Sequence, residues 1–405
     1  MNTYTRRMMM TTPSPTAEPD WIEAARRLLG DDTSVQSERD RTVSLTDTVA
    51  HIRMWDAPAT TERVTALRTL HLAVLDSAAV MPQPIGDIDQ VALLGGRVYD
   101  ACAVVSGLPL NRHGEFVVGD QGIVNLPLHE TADHGDMLAE AARALSKIHE
   151  STRDHAALAG MATSTATELH TGVVARWQQG RKRLGTHAAS LPEVRRWLRC
   201  GNRIIPVAEE RFGTASDVAD VSNVLIHGNV WPAYLMVDDP SRPTTLHGIT
   251  GWRQAAAGSP VLDLAQLSVR VTGWSEATVE SVLGAYSDHT ALPPATRRLV
   301  PVVAAMDLLD QVGRLLEIAY LDDAVANDRA QPFIRGGVKV LLRSLERLTN
   351  VLAPPEPVQR RFYGGVPRSP RTGATGKDRQ RSPATRPPGS RRSPRSSPRR
   401  TRREG

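Results

Sequence analysis

The sequence predicts an α+β chain in two lobes: a small antiparallel β-rich lobe, a larger helical lobe, and then a disordered tail. Three observations predict this. Residues 41–110 hold two stretches that read as paired strands with one helix between them. From about residue 135 long amphipathic segments dominate, broken by three short apolar strands between 221 and 250. Residues 364–405 are built from Arg, Ser, Pro and Gly and have almost nothing to bury.

The elements follow in order. Residues 1–20 show no apolar period and are expected to be disordered; they hold two arginines but no apolar core of a secretory signal. Residues 21–110 form the first lobe. In it, "RTVSLTDTVAHIRM" (41–54) alternates as two strands turning near Thr46–Asp47. "TTERVTALRTLHLAVLD" (60–76) places Val64, Leu67, Leu70, Leu72, Val74 and Leu75 at helical spacing, with Thr60 or Thr61 as the cap. "QVALLGGRVYDACAVVSGLPL" (90–110) reads as a hairpin broken at Gly95–Gly96. Residues 111–355 form the second lobe, with helices over 135–150, 191–212, 277–289, 299–324 and 336–352. Its short strands are 221–228, 234–239 and 244–250. Residues 356–405 are the tail.

Charge divides the chain the same way. From Arg361 onward there are thirteen Arg and one Lys against Asp378 and Glu404, a net +12. The whole chain carries +5, which leaves −7 on residues 1–360. The body therefore shows no basic nucleic-acid face. The tail is a candidate contact for nucleic acid, anionic lipid or an acidic partner, and its Ser369, Ser382, Ser393 and Ser397 precede prolines and are open to modification. No aromatic interleaves the arginines of residues 364–405, so base stacking is not expected. Cys102 and Cys200 match no metal spacing and suit a reducing compartment. No run of about 20 apolar residues exists, so a transmembrane segment is not expected and the cytoplasm is the expected location.

The order of motifs carries a resemblance. His227-Gly228-Asn229, a strand near Tyr234, Ile249-Thr250-Gly251-Trp252, and then Gly258-Ser259-Pro260-Val261-Leu262-Asp263-Leu264-Ala265 follow one another at a telling spacing. The chain in this respect resembles the aminoglycoside phosphotransferase and choline kinase family, with its HGD-x4-N loop, I-D-W strand end and G-D-P-x-x-D-L-A helix start. "ALSKIHE" (144–150) and "VAHIRM" (49–54) resemble further family segments, and the likeness runs loosely over residues 30–352. The resemblance implies a protein-kinase-like fold and a nucleotide, ATP or another, held with Mg²⁺. It implies that Arg53 stands where a Lys or Arg meets the nucleotide phosphates; Val104 and Ser106 are further candidate nucleotide contacts. Glu62 or Asp76 are candidate partners of Arg53.

The chemistry positions depart from that pattern. Phosphoryl transfer is mostly positioning plus neutralisation of charge by metal ions. Asn229 stands where the family has its catalytic Asp, and an amide has no useful basicity, so about 10²–10⁴-fold of general-base help is absent. Tyr234 stands at the metal-binding Asn and Gly251 at the metal-binding Asp. Neither supplies what Mg²⁺, a hard cation, prefers, so Mg²⁺ is not expected at those positions. Ser259 also replaces a family Asp. Asp263 matches a family Asp that braces the loop, and His227 reads as a hydrogen-bonded loop anchor before it reads as a base. Asp238 and Asp239 read as a solvated turn before Pro240. "TSVQSERDRTVSL" (33–45) holds no Gly-rich loop, and "HETADHGD" (129–136) reads as a polar loop rather than a metal site.

Three readings follow. The first is a pseudoenzyme of this fold that binds a nucleotide, a small molecule or a protein partner with little phosphoryl transfer. The second is an active ATP-dependent phosphotransferase with relocated metal ligands, acting on a small hydroxylated molecule. The third is an interaction protein that works through its basic tail.

Overall fold

The computed structural model describes residues 20–354, apart from 38–41, 45–48, 56–58, 75–80, 111–114, 118–122, 126–134, 189, 220–222, 272 and 322–330. The expectations for the N-terminus before residue 20, for the Arg-rich tail, for Asp76 and for 129–134 lie outside the described residues.

The chain opens with α1 (Asp20–Leu29), which the sequence reading did not mark as a helix. Three strands follow, β1 (Ser34–Ser37), β2 (Thr42–Ser44) and β3 (Val49–Trp55). After α2 (Thr61–Ala73) come β4 (Ala92–Leu94) and β5 (Arg97–Ala103). These strands form one antiparallel sheet in the order β1-β2-β3-β5-β4. The two predicted hairpins are present: Ser44 pairs with Val49, and Leu94 with Arg97 across Gly95–Gly96. Thr60 caps α2 by accepting a hydrogen bond from the Arg63 N–H.

The pleat sends alternate residues of β3 to opposite faces. Ala50 and Ile52 join Tyr99 and Ala101 under the apolar stripe of α1, formed by Trp21, Ala24, Ala25 and Leu28. Arg53 and Trp55 face the other way, into the core shared with α2. There Arg53 and Asp100 are cross-strand partners. The Asp100 carboxylate is fully buried and is bound by Arg53, by the Trp55 indole N–H at 2.9 Å and by Arg68 of α2 at 3.6 Å. The partner of Arg53 is therefore Asp100, not Glu62. An acid directly across a strand pair reaches the guanidinium without bending either backbone.

Residues 104–107 lead out of this sheet to β6 (Leu108–Pro109). Next come β7 (Glu115–Val117), β8 (Ile123–Asn125), α3 (Gly135–Thr152), β9 (Thr163–Ser164), α4 (Ala166–Leu184) and α5 (Pro192–Ala219). The site-bearing stretch holds β10 (Val224–Ile226), β11 (Leu235–Val237), β12 (Leu246–Ile249), β13 (Ala256–Gly258) and α6 (Pro260–Arg270). The chain closes with α7 (Glu276–Ser287), α8 (Pro294–Leu321) and α9 (Gln331–Leu352). Two small sheets, β10-β13-β9 and β12-β11-β6, carry the loops of interest. Helix α8 is apolar on nearly every side, so it is buried among α4, α5, α6 and α9. Among the described residues no helix is long and apolar enough to cross a membrane.

Asp100 supports a direct test. Replacing it with Asn leaves Arg53 and Arg68 buried without a counter-charge. We expect a loss of about 3–5 kcal/mol in urea unfolding. Glu23→Gln, which breaks an exposed i,i+4 pair with Arg27, is expected to change stability by less than about 1 kcal/mol.

Candidate functional site

Strand β10 ends at Ile226 and the chain turns into a loop whose shape is held by one residue of α6. Asp263 is fully buried. One of its oxygens accepts the backbone N–H of His227 at 2.7 Å, the other that of Gly228 at 2.8 Å. A third bond comes from His149 Nε2 of α3 at 3.2 Å. With that nitrogen donating, His149 Nδ1 accepts from the Tyr286 hydroxyl at 3.0 Å. Burial works against the carboxylate, yet these hydrogen bonds and the neighbouring imidazoles hold Asp263 below its ordinary value. Gly228 has φ of 75°, and a Cβ there would lie 2.5 Å from the Gln254 carbonyl oxygen. The turn therefore accepts no side chain.

His227 is fully buried and both of its ring nitrogens are engaged. Nε2 lies 2.6 Å from the Thr250 carbonyl oxygen, so it carries the proton. Nδ1 then accepts the Asn229 backbone N–H at 3.2 Å. Burial pushes its pKa down. A neutral imidazole with no spare lone pair ties two loops together and has nothing left with which to accept a proton.

The Asn229 side chain is held as firmly. Its Oδ1 accepts from the Trp231 indole N–H at 2.9 Å and from Arg270 Nη1 at 2.7 Å. Both neighbours are donors, which fixes the oxygen on their side. Arg270 in turn is paired with buried Asp307 at 2.8 Å and lies over the Trp231 ring. The acceptor atom at the position of the family's base is thus already satisfied.

The two positions that the resemblance assigns to metal ligands pack against each other. Gly251 has φ of 81°, and a Cβ built on it would lie 2.5 Å from the Tyr234 ring. The ring occupies the space through which a carboxylate at 251 would have to leave the backbone. Tyr234 also stacks toward His227, with centroids 5.7 Å apart, and His227 toward Trp252 at 4.7 Å. These donors do not fit Mg²⁺: one position offers an aromatic ring, the other no side chain at all.

The remaining sequence candidates are placed as follows. Arg53 is buried on β3 with Nε and Nη2 on Asp100. Val104 and Ser106 lie in the segment between the five-stranded sheet and β6, and Ser106 meets His247 at 3.3 Å. Asp238 and Asp239 form an exposed turn, in which Asp238 accepts from Thr244 and Thr245 and Asp239 from Ser241. The structure thus gathers His227, Asn229, Tyr234, Gly251 and Asp263 into one cluster, while Arg53 is engaged by Asp100 and Ser106 by His247. The sequence reading missed Arg270, Asp307, Asp100 and Arg68. Their signal was a charge inside an apolar run, as in "VYDACAVV" and "LSVRV", which marks a buried partner.

Two outcomes test this geometry. Gly251→Asp is expected to destabilise by about 1–3 kcal/mol through the ring clash and the left-handed backbone. With Tyr234→Asn the loss shrinks, giving a coupling of about 0.5–3 kcal/mol in a double-mutant cycle read by denaturant unfolding. For pH, His227 and His71 are both held below their ordinary 6.5, His71 at about 3. The unfolded chain then binds more protons than the native one below 6.5. Their contribution is fully present above that value and is lost as pH falls toward the folded pKa values. Melting temperature should begin to drop below about pH 6.5, well before the carboxylates protonate.

No family model matches the chain, and no curated protein matches it. Solved structures do. An aminoglycoside phosphotransferase from Alicyclobacillus acidocaldarius subsp. acidocaldarius is similar with a TM-score of 0.53 and 14% identity, covering 77% of this chain and 88% of that one. The microcompartment-associated aminopropanol kinase is similar with a TM-score of 0.50 and 17% identity, covering 80% and 93%. At such identities the likeness is one of architecture: this chain has the protein-kinase-like fold of the aminoglycoside phosphotransferases.

Proposed function

We propose that the protein is a pseudokinase of the aminoglycoside-phosphotransferase type, which binds a nucleotide or another small molecule and transfers phosphoryl groups poorly or not at all. The observation that carries the reading is the contact of the Tyr234 ring with Gly251. It puts hydrocarbon where the fold's phosphotransferases need a metal carboxylate. Asn229 adds to it: its oxygen is taken by Trp231 and Arg270, so it offers no base for an incoming hydroxyl. The loss is not a vacancy in the packing. Tyr234 packs on Gly251, and Asn229 is hydrogen-bonded to Trp231 and Arg270.

Relocated metal ligands find less support. Asp238 and Asp239 accept from their own turn, and among the described residues no three His, Cys, Asp or Glu side chains converge. Fold alone does not decide activity, so the reading rests on these side chains.

The test is thermal melting with ATP, GTP and ADP, each with and without Mg²⁺. A ligand of the native state adds RT ln(1 + [L]/Kd), about 2.7 kcal/mol at a hundredfold excess over Kd. We expect a shift that is the same with Mg²⁺ and with a chelator. In parallel, ADP release should be absent in the wild type and in either single variant, Asn229→Asp or Gly251→Asp. It should become measurable only when both are combined with Tyr234→Asn, because the three groups serve one transition state. Turnover by the wild type at about 1–100 s⁻¹, the ordinary kinase range, would overturn the proposal.

A further inference from the structure

The ends of four helices leave a cavity of about 460 Å³ in the second lobe. It lies between the C-terminal parts of α5 and α9 and the N-terminal halves of α7 and α8. None of its lining residues belongs to the cluster around Asp263. Its volume falls in the range of about 300–1,000 Å³ usual for small-molecule sites. Trp274, Val279, Leu283 and Val302 are buried and give it an apolar floor. Val351, in the last turn of α9, also lines it and is 49% exposed, whereas Leu345 and Leu348 of the same helix are buried. Hydrocarbon is thus left open to solvent at the cavity.

The charged residues that line it are Arg211, Arg297 and Arg298 with Glu276 and Glu280, all exposed or half-buried. They stand above the floor rather than in it. Glu280 is paired with Arg297. Glu276 sits in the first turn of α7, where the helix dipole favours an acid. The Arg298 side chain has no ion pair and no hydrogen bond among the described residues. Helix α8 carries no acid in its first turn, and both Arg297 and Arg298 fall within its first two turns. The positive end of the helix dipole therefore adds to the charge of Arg298 instead of offsetting it.

We propose that this cavity binds a straight-chain monocarboxylate, a free fatty acid of medium length, with its hydrocarbon on the apolar floor and its carboxylate on Arg298. Each part of such a molecule meets its complement. Moving a chain from water onto an apolar floor is favourable in proportion to the methylenes buried. Val279, Leu283 and Val302 make most of that floor aliphatic, which suits a flexible chain. A guanidinium receives a carboxylate through two parallel N–H donors. A neutral chain leaves Arg298 without its anion, and a cationic chain meets three arginines against two glutamates. No covalent step is involved. The site shares no residue with the loop at Asn229, so it goes beyond the pseudokinase reading and stands or falls separately from it.

The test is calorimetric titration of the full-length protein at about pH 7, where a carboxylic acid is ionised. The ligands are octanoate, hexanoate, acetate, octanol and octylammonium, each below its micelle concentration. We expect one saturable site for octanoate. Hexanoate should bind about tenfold more weakly, since each lost methylene costs about fourfold in affinity. Octanol should also bind about tenfold more weakly, having no charge for Arg298. Acetate and octylammonium should show no saturable binding. The Arg-rich tail takes carboxylates without regard to chain length, so dependence on length separates the cavity from it. Arg298→Gln should weaken octanoate about tenfold and leave octanol unchanged. Val351→Asp should weaken both, because it sets a charge beside the chain. Both positions are exposed, and if Val351→Asp nevertheless fails to fold, Arg298→Gln and the ligand series still decide. Equal affinity for octanoate and octanol would overturn the proposal. So would affinity independent of chain length, tighter binding of octylammonium, octanoate binding unchanged in Arg298→Gln, or no saturable octanoate binding at all.

Discussion

The carboxylate of Asp263 gathers donors from segments far apart in the chain: two backbone N–H groups of the loop after β10 and the imidazole of His149 on α3. A buried carboxylate is tolerated only when it is met by several donors, and here the requirement works as a constraint on shape. The loop cannot move without stripping the charge of its partners. Gly228 must keep its left-handed turn, and His227 is thereby delivered to the Thr250 carbonyl oxygen. Gln266, one turn further along α6, repeats the device by accepting from Val230 and donating to the Gly228 carbonyl oxygen. Everything downstream of this brace inherits its position: Asn229, the Tyr234 ring and the turn at Gly251.

The brace and the reactive positions of the loop are separable. Residues that shape the loop in this fold need hydrogen bonds and close packing, which are present. Residues that move a proton or hold a metal need spare lone pairs, and the side chains of His227 and Asn229 offer none. Asn229 Oδ1 is saturated by two donors, His227 is saturated at both nitrogens, and the Tyr234 ring covers Gly251. Tyr234 and Gly251 form one packed unit, in which the glycine makes room for the ring and the ring closes the space left by the glycine. Arg270 secures Asn229 separately, since its pairing with Asp307 is what places a donor on the Asn229 oxygen.

The smaller lobe shows the opposite economy. There the charges are not saturated: two arginines lean on Asp100, and Nη1 of Arg53 and Nε2 of His71 are buried with no hydrogen-bond partner among the described residues.

Much of this was legible in one dimension. The strand–turn–strand patterns of 41–54 and 90–103, the cap at Thr60 and the long helices from 135 onward follow from local periodicity and turn chemistry, which act over a few residues and are written directly in the order of side chains. The substitutions at 229, 234 and 251 were visible too, because a motif is a spacing. What the sequence could not supply was who meets whom. Helix α1 escaped notice because its short stripe acquires meaning only against the sheet face of Ala50, Ile52, Tyr99 and Ala101. The pairing of Arg53 depended on strand register, which set Asp100 opposite it across 47 residues of chain. Arg270 and Asp307 read as isolated charges in apolar runs until α6 and α8 packed together. Tertiary structure decided these points because hydrogen bonds and ring contacts depend on distances of a few ångströms, and only the folded chain brings residues so far apart in sequence within that reach.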